Sequence, residues 1–362
     1  MKALILTTHT GGGHDAAAKA ITDALEAKGV ECRIMDCVAF AGRWVSRIVS
    51  NSYVKMVQKT PNRFGHIYRL GQIISTPRMR SPIYAANCTY AHRMRKTLDE
   101  IKPDMIVCTH LFGAQTVQHL IKHKDYSGLH CMILTDYTNW PFVEDVHPDV
   151  MCIGHKCMEQ QLIDKKIPAE CLYPLGIPVN PACRPCYDKQ EAKRAIGLDE
   201  NCREVLMVGG SMGAGNLPEA ISRIIPALGE NGHLSVVCGS NKLAVDQAKQ
   251  MFGDNKQVTV YGRVSPLYPM MAAADVLVTK TGGLTSSEAM TVGVPIVGFH
   301  PIQGCETANM EFMEKHGMAV HARDDEELTA LVRDLLQDDE KRARMIKAQH
   351  DNIDPDCAEH LA

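Results

Sequence analysis

A glycine turn followed by a carboxylate, Lys280–Glu288, has residue types suited to nucleotide binding. It follows a predicted apolar strand, Ala274–Thr279, and a helical pattern comes after it. Gly282 and Gly283 let the backbone turn sharply and approach a ligand closely. The helix start offers N–H groups and a partial positive charge to phosphate, and Glu288 can accept hydrogen bonds from a ribose diol. Many α/β proteins use the same pattern as a plain turn, so this stretch alone leaves both interpretations open.

A second glycine-rich turn, Gly209–Gly215, follows the predicted strand Glu204–Val208 and precedes a predicted helix. Ser211 adds a hydroxyl donor for a diphosphate oxygen. Two such turns in one half of the chain are the arrangement expected for a nucleotide diphosphate. The only Asp-x-Asp pair, Asp354–Asp356, lies in the C-terminal tail. We therefore expect no metal, and a diphosphate whose charge is met by helix ends and backbone donors.

His14 is the candidate general base. It follows Gly11–Gly13 at a predicted strand-to-helix turn, and the positive end of a helix disfavours protonation of an imidazole. A histidine at a helix start can also simply cap the helix or face solvent, and this alternative stays open. The turn is not a P-loop, because no Gly-Lys-Ser/Thr follows, and it lacks the third spaced glycine of a dinucleotide fingerprint.

A carboxylate, Asp136, follows the predicted strand Leu129–Thr135. Ligands collect at the carboxyl ends of parallel strands, so Asp136 is expected to assist a base or to orient an acceptor. Its alternative role is to cap the loop that follows. His110, after the predicted strand Asp104–Thr109, and His147 are interpreted as structural.

These residues are placed by two series of alternating strands and helices, which predict an α/β fold. The prolines at 174, 178, 181 and 185 make a stiff connection between the two series. We predict domains over residues 1–180 and 181–340 and a helical tail over 341–362. In the first domain the strands are Lys2–Thr8, Val30–Asp36, Asp104–Thr109 and Leu129–Thr135, and the helices are Asp15–Lys28 and Phe112–His123. In the second, the remaining strands are His233–Cys238, Val258–Tyr261, Val276–Thr279 and Pro295–Phe299, with a last helical segment from Asp325 to about Ala348.

Length and composition agree with two soluble domains. The chain has 362 residues, 45% of them hydrophobic and 22% charged. The net charge of −3 gives no general case for nucleic acid. Met1–Thr8 is too short an apolar run for a signal peptide, and no run reaches the roughly 18 apolar residues of a spanning helix. A cytoplasmic location is therefore expected, and the 14 cysteines are predicted to be buried free thiols.

The segment Cys37–Leu98 contains no Asp or Glu, although basic and aromatic residues are frequent in it. Cations interleaved with aromatic side chains suit an anionic membrane surface, each cation contributing about 1 kcal/mol close to it. Nucleic acid and a plain solvated face are the competing interpretations. The residues predicted to meet the membrane are Arg43, Trp44, Arg47, Tyr53, Lys55, Arg63, Phe64 and Arg69.

Several motifs in order give the chain a specific resemblance. They are Gly11–His14 with Ala17–Ala18, Thr135–Asp136, Gly176–Val179, Gly209–Gly213, Lys280–Glu288 and Gln303–Asn309. Over roughly residues 3–320 the chain resembles the monogalactosyldiacylglycerol synthases and processive diacylglycerol glucosyltransferases. These are GT-B glycosyltransferases, more distantly related to the N-acetylglucosaminyltransferase that completes the peptidoglycan lipid precursor.

The resemblance implies two Rossmann-like domains facing across a cleft and an inverting, metal-independent transfer of a hexose from a UDP-sugar to diacylglycerol. No cofactor is implied beyond the UDP-sugar as co-substrate. The first domain would hold the acceptor at the inner face of the cell membrane, with His14 as base, Asp136 near it and Gly12 and Gly13 in the acceptor-side loop. The second would hold the donor. Its implied contacts are Gly210, Ser211, Gly213, Gly283, Leu284 and Thr285 to the diphosphate, Glu288 to the ribose, Val264 to the uracil, Gln303 to the sugar, and Asn309 supporting that loop.

Two positions depart from the family pattern. Gly304 stands where the lipid synthases usually carry Glu directly after the glutamine, here Gln303, and the next glutamate is Glu306. This departure leaves the identity of the transferred sugar undetermined. Cys183 stands where an aromatic residue is usual. The alternatives are the same fold with another acceptor (a polyprenyl-diphosphate sugar or a small hydrophobic molecule), a UDP-sugar 2-epimerase, or a nucleic-acid-binding protein that uses the basic segment.

Overall fold

The computed structural model describes residues 1–9, 11–59, 61–76, 80–185, 187–211, 213 and 217–362; the side chains of residues 57–59 and 61–64 lie outside the description. The chain forms two compact units. The first unit comprises Met1–Pro181, Gln303–Cys305 and Asp356–Ala362, and the second comprises Ala182–Ile302 and Glu306–Pro355.

The first unit is built on a parallel sheet of six strands in the order β2-β1-β3-β4-β5-β6. Its strands are β1 Lys2–Thr7, β2 Glu31–Asp36, β3 Met105–Cys108, β4 Leu129–Ile133, β5 Val150–Cys152 and β6 Leu172–Tyr173. Its helices are α1 Gly12–Ala27, α2 Arg43–Lys59, α3 Pro61–Ile74, α4 Pro82–Cys88, α5 Ala91–Ile101, α6 Leu111–Lys122 and α7 Glu159–Asp164. Short 3₁₀ helices span Cys37–Phe40, Val143–Asp145, Lys156–Met158 and Ala169–Cys171.

Both faces of this sheet are buried, as the continuous apolar strands require. In β1, Leu4 and Leu6 pack into one core cluster, whereas Ala3 and Ile5 pack into the other. The second cluster is completed by the last helix of the chain, α16 Cys357–Leu361, whose Cys357 is buried beside α1. The first unit therefore draws part of its core from residues 356–362.

The second unit repeats the design with a parallel sheet in the order β12-β11-β10-β7-β8-β9. Its strands are β7 Arg203–Val208, β8 Gly232–Val237, β9 Val258–Tyr261, β10 Val276–Thr279, β11 Ile296–Phe299 and β12 Ala319–Ala322. Its helices are α8 Lys189–Ala195, α9 Leu217–Ile224, α10 Lys242–Phe252, α11 Tyr268–Ala273, α12 Gly283–Val292, α13 from Cys305 to Lys315, α14 Asp325–Gln337 and α15 Asp339–Asn352, with a 3₁₀ helix at Ile225–Ala227.

The observed architecture agrees with the predicted α/β class, with differences at particular elements. Helix α1 begins at Gly12 and not at Asp15, so His14 lies in its first turn. The predicted helical segment from Asp325 is two helices, because Asp338 ends α14 and its side chain caps α15 through the N–H of Lys341. The predicted tail is also divided: α15 belongs to the second unit and α16 to the first.

The segment without acidic residues folds mainly into α2, α3, α4 and most of α5. Helix α4 is capped at its start by Ser81, whose hydroxyl accepts from the N–H of Tyr84. Ser81 is held in turn by the carboxylate of Asp145. Within the described residues, no helix combines the length and the apolar character needed to cross a bilayer.

Candidate active site

The first group of predicted residues meets at the carboxyl edge of the first sheet. Strands β1, β3 and β4 are neighbours there, and the first turn of α1 brings His14 against the ends of β3 and β4. The Nδ1 atom of His14 lies 2.8 Å from the carbonyl oxygen of Thr109 and 3.1 Å from Oγ1 of Thr135. Thr109 also donates its hydroxyl to the backbone carbonyl of His14 at 3.1 Å. The two strand ends therefore fix the imidazole.

The contact with Thr109 also selects the tautomer of His14. A carbonyl oxygen only accepts hydrogen bonds, so Nδ1 carries the hydrogen and Nε2 of the neutral ring is left as an acceptor. Burial lowers the pKa of His14, and the charge of Asp136 opposes that shift only in part. The imidazole is thus neutral at pH 7, with Nε2 available as a base.

Asp136 follows β4 and lies close enough to His14 for its charge to act on the imidazole. Its Oδ2 accepts a hydrogen bond of 2.9 Å from the indole Nε1–H of Trp140. The negative charge of Asp136 also acts on the imidazole, where it favours the protonated form. A carboxylate in this position can stabilise the imidazolium that forms when His14 takes up a proton.

Two residues to which the sequence analysis gave no role belong to this cluster. The rings of His110 and His14 are 4.6 Å apart in an edge-to-face arrangement, and the ring of Trp140 lies 5.7 Å from His14. Burial and the neighbouring His14 lower the pKa of His110 well below its usual value, and its Nδ1 accepts from the N–H of Phe112 at the start of α6. The available signal was position, since His110 follows β3 at the same edge as Asp136.

The start of α1 is braced by side chains around the glycines. Gly11 precedes the helix with φ of 113°, a value that L side chains rarely adopt. One carboxylate oxygen of Asp15 accepts from the hydroxyl of Thr7 at 2.9 Å, and the other lies 2.8 Å from Nδ1 of His9. Gly12 and Gly13 form the first two residues of the helix, directly before His14.

The second group of predicted residues occupies the carboxyl edge of the second sheet. In the turn after β7, Gly210 and Gly213 have φ of 74° and 56°. A Cβ atom on Gly213 would lie 2.0 Å from the carbonyl oxygen of Cys238, so only glycine fits there. Exposed Ser211 accepts hydrogen bonds of 3.0 Å at its carbonyl oxygen from the N–H and the hydroxyl of Ser240. The turn is therefore tied to the end of β8.

The other glycine turn, after β10, leads into α12. Thr281 has φ of 66°; its hydroxyl donates to the carbonyl oxygen of Glu306 at 2.9 Å, and its own carbonyl accepts from Nδ2 of buried Asn309 at 3.2 Å. Helix α12 begins after Gly282, which has no side chain to cap it. The N–H groups of the first turn, including those of Leu284 and Thr285, thus have no partner within the helix, as an anion site requires.

Glu288 lies one turn into α12 as a half-buried carboxylate. Burial alone raises its pKa to about 7, and no hydrogen bond or ion pair with another described residue offsets this. Burial likewise raises the pKa of the neighbouring Cys183 thiol to about 12, with the charge of Glu288 adding to the shift. A carboxylate that is desolvated but unpaired is suited to a ligand that brings its own hydrogen-bond donors.

Lys280 is a further residue that the sequence analysis did not assign. It lines a cavity of about 30 Å³ together with Gly209, Thr279 and His300, at the ends of β7, β10 and β11. Its side chain is largely buried, and its Nζ lies 3.8 Å from Oε1 of Glu306. Its residue type and its position two residues before Gly282 and Gly283 were visible in the sequence.

The remaining predicted donor residues are placed as follows. Val264 lies half-buried in the loop after β9. Gln303 and Gly304 belong with Cys305 to the first unit, whereas the glycine turns belong to the second. Gly304 has φ of 116°, and a Cβ atom there would lie 2.9 Å from the ring of Tyr68. The backbone and this ring together explain why the usual glutamate is absent at position 304.

The residues predicted to meet a membrane lie on α2 and α3, which pack on each other. Arg43, Trp44, Arg47, Lys55 and Arg69 are exposed, Tyr53 is half-buried, and the side chains of Arg63 and Phe64 lie outside the described part. Trp44 is 72% exposed and Ile73 is 76% exposed, with Ile67 and Leu70 also exposed on α3. Exposed apolar side chains among cations are the expected composition of a membrane-facing surface.

Comparison with known proteins relates each half of the chain to glycosyltransferases. The family of monogalactosyldiacylglycerol (MGDG) synthases matches residues 14–179, and the family of group 1 glycosyl transferases matches residues 188–351. A processive diacylglycerol beta-glucosyltransferase of Bacillus cereus is 28% identical over 364 aligned residues, which cover 99% of this chain and 92% of the relative. The similarity extends over both units.

Solved structures show the same fold at lower identity. MurG of Acinetobacter baumannii superposes with a TM-score of 0.64 at 16% identity, covering 100% of this chain and 98% of the other. A putative UDP-N-acetylglucosamine 2-epimerase of Listeria monocytogenes gives the same TM-score at 13% identity, covering 99% and 94%. At these identities the likeness concerns the fold alone and confirms the predicted GT-B class. The sequence matches, and not the fold, separate a transferase from an epimerase.

Proposed function

The chain belongs to the family of the monogalactosyldiacylglycerol synthases and processive diacylglycerol glucosyltransferases, and on that premise we propose that it transfers a hexose from a UDP-sugar to diacylglycerol with inversion. His14 is the base in this reaction. The observation that carries this assignment is the contact between Nδ1 of His14 and the carbonyl oxygen of Thr109, which leaves Nε2 as a proton acceptor.

The reaction needs one displacement and one proton transfer. The free hydroxyl oxygen of diacylglycerol attacks C1 of the hexose while its proton passes to Nε2 of His14. The bond between C1 and the diphosphate oxygen breaks, and UDP leaves with the electron pair. The carboxylate of Asp136 stabilises the imidazolium that results, and the Nε1–H of Trp140 holds that carboxylate in place. A single displacement inverts C1 and gives a β-linked product.

The second unit binds the donor. The open backbone at Gly210 and Gly213 and the first turn of α12 approach the diphosphate. The carboxylate of Glu288, which is not paired with any described residue, accepts from the ribose hydroxyls. In the same proposal the backbone at Val264 meets the uracil edge and Gln303 meets the sugar, with Asn309 supporting the 280–283 turn. No metal is required, because helix ends and backbone donors meet the diphosphate charge.

The acceptor is a lipid, so the enzyme must work at a membrane surface. The exposed apolar side chains of α2 and α3 and the cations beside them support peripheral binding to anionic lipid at the inner face of the cell membrane. Nucleic acid is not among the proposed partners, since aliphatic side chains would gain little from its phosphate backbone.

The test is to incubate the purified protein with diacylglycerol vesicles and each of a panel of UDP-hexoses, and to analyse the lipids by mass spectrometry. We expect one hexosyldiacylglycerol, with a β-linkage by NMR, from a preferred donor. Several UDP-hexoses are needed because the glycine at position 304 leaves the identity of the transferred hexose undetermined. Absence of glycolipid from every donor would reject the transferase assignment, and release of an epimerised sugar without acceptor would replace it by an epimerase.

The membrane surface is tested separately by replacing Ile67, Leu70 and Ile73 with Ser. Loss of three inserting side chains should weaken binding to anionic vesicles about 30-fold or more. Ser replacements at Leu243, which is 75% exposed, and at Met251 remove comparable apolar groups from α10 of the second unit and serve as the matched control. Equal effects of the two sets on vesicle binding would reject α3 as the membrane-facing surface.

A further inference from the structure

Lys280 has an unusual position between the two glycine turns of the second unit. Its backbone follows the last residue of β10 and starts the 280–283 turn, while its side chain reaches the other turn. The Nζ atom lies 3.3 Å from the position that a Cβ atom on Gly210 would occupy, and Cε lies at 3.2 Å. The ammonium therefore lies directly against the backbone of Gly210. A side chain at position 210 would push it away.

The charge of Lys280 is poorly compensated in this position. The side chain is only 11% exposed, and its charged partner among the described residues, Oε1 of Glu306, is 3.8 Å away, beyond hydrogen-bond distance. The other carboxylate oxygen of Glu306 is engaged by the N–H of Ile302 at 2.7 Å. An ammonium has three donors, so a desolvated one with a single distant partner can still bind an anion.

A second buried lysine of the same unit has a positive charge that is fully compensated by its neighbours. Lys193 is 5% exposed, and its Nζ donates to Oδ2 of Asp275 at 2.9 Å and to the carbonyl oxygen of Cys202 at 2.6 Å. These bonds attach α8 to the sheet, at the edge opposite the glycine turns. Lys193 thus has a purely structural role, whereas Lys280 has comparable burial without comparable bonds to the described residues.

We propose that Lys280 binds the diphosphate of the donor and offsets the charge that develops on it as the sugar leaves. This inference rests on the donor site proposed above and adds a cationic side chain to its backbone donors. Rupture of the bond between C1 and oxygen leaves one further negative charge on the diphosphate. Lys280 acts through its positive charge and transfers no proton. Because the charge grows during the reaction, the ammonium stabilises the transition state more than the bound donor.

Glu306 has a defined part in this arrangement as a positioning residue. Its backbone carbonyl accepts from Thr281, and its carboxylate lies 3.8 Å from Lys280, so it holds both the turn and the ammonium. In Glu306→Gln the amide oxygen can still accept from the N–H of Ile302, but the negative charge is lost. In this variant Lys280 has no carboxylate counter-ion among the described residues. The variant is therefore the reference protein against which removal of the ammonium group of Lys280 is measured.

The experiment compares Glu306→Gln with the double variant Lys280→Met/Glu306→Gln. Both proteins lack the carboxylate of Glu306, so removal of the ammonium of Lys280 does not leave that carboxylate without its cation. Binding of UDP and of uridine is measured by calorimetry. We expect the double variant to bind UDP at least about 10-fold more weakly than the reference, because hydrogen bonds to a charged group are lost. Uridine, which has no phosphate, should bind both variants within 2-fold.

Turnover provides a second measurement. With the preferred UDP-hexose, the double variant should lose more in kcat than in KM, since the charge on the diphosphate is largest in the transition state. Equal affinity of the two variants for UDP would overturn the role of Lys280, and so would a parallel loss of uridine binding, which indicates general damage to the unit. If the unsubstituted protein itself binds no UDP, the donor site of the proposed function fails, and this outcome is distinct from the other two.

Discussion

The carboxyl edges of the two sheets can be compared directly, because both are formed by parallel strands followed by helix starts. At the edge of the first unit the important atoms belong to side chains: the imidazole of His14 is fixed by Thr109, and the carboxylate of Asp136 is held by Trp140. At the edge of the second unit the turns are rich in glycine, and Lys280 and Glu288 make no hydrogen bond to another described residue through their side chains.

The difference shows how one architecture supports two tasks. Proton transfer needs a side chain held in one tautomer and one orientation, so the first edge is densely bonded. Binding a charged nucleotide needs backbone N–H groups that the ligand can reach and desolvated charged side chains that it can contact, so the second edge is open. Substitutions at the first edge should therefore change turnover, and those at the second should change donor affinity. Four predictions test this division.

The largest effect is expected for His14→Ala. Without the base, kcat with the preferred UDP-hexose and diacylglycerol should fall about 1000-fold, while the affinity for UDP stays unchanged. Discontinuous assays on diacylglycerol vesicles measure kcat, and calorimetry measures the affinity for UDP. Because burial lowers the pKa of His14, the unsubstituted enzyme should also keep its kcat at pH values somewhat below 6.5, where an exposed histidine would be charged. Retained turnover in His14→Ala would remove this residue from the mechanism.

At the other edge, Glu288→Gln should weaken UDP binding by about 10- to 100-fold, because hydrogen bonds from the ribose to a charged acceptor are lost. Since burial raises the pKa of Glu288 to about 7, the affinity of the unsubstituted protein should rise with pH up to and just above 7 and then level off. Glu288→Gln is its own control, as it should lose that pH dependence. An unchanged pH profile would show that the ribose does not contact this carboxylate.

The same substitution should have the opposite effect on stability. Glu288 has a pKa of about 7 in the folded protein against an ordinary value of 4.5, so its ionisation destabilises the fold as the pH rises from 4.5 to 7. Without ligand, Glu288→Gln should therefore be more stable than the parent at pH 8, by about 3 kcal/mol, with no such gain at pH 4. Thermal unfolding at the two pH values measures this. Equal stability at pH 8 would show that the carboxylate is better solvated than the structure indicates.

The smallest effect is expected for Trp140→Phe at the first edge. The ring is kept but the N–H that holds Asp136 is lost, so kcat should fall only about 5-fold and UDP affinity should not change. The kinetic assay used for His14 measures it. A loss of UDP binding without a change in kcat would contradict the division between the two edges.

The strand-and-helix plan, the glycine turns and the family resemblance were all accessible from the sequence, and the family and fold are confirmed. Local patterns were sufficient there, because parallel strands are continuous apolar runs and glycine turns are compact motifs. Strands β5 and β6 were missed because three and two residues carry no periodicity, and the four-residue strand β12 was also missed. The start of α1 at Gly12 was missed because glycine is a poor helix former.

The parts of the candidate site that escaped prediction depend on contacts between distant positions. The position of His110 after a strand indicates the sheet edge on which it lies, but it does not indicate that its ring is 4.6 Å from that of His14, 96 positions earlier in the chain. Nor does the sequence show that Lys280 extends to Gly210 or that Glu288 has no hydrogen-bond partner among the described residues. The roles assigned to His14, Asp136 and the donor residues remain predictions.

The packing of α16 on α1 affects the order of events during synthesis. Cys357 occupies the same core cluster as Ile5 and Ile21, so that core is complete only when the ribosome has passed residue 357. Most of the second unit has by then left the ribosome and can fold. The unit that holds His14 is thus begun before the second unit and completed after it, and until then the apolar face of α1 is a surface that a chaperone can occupy.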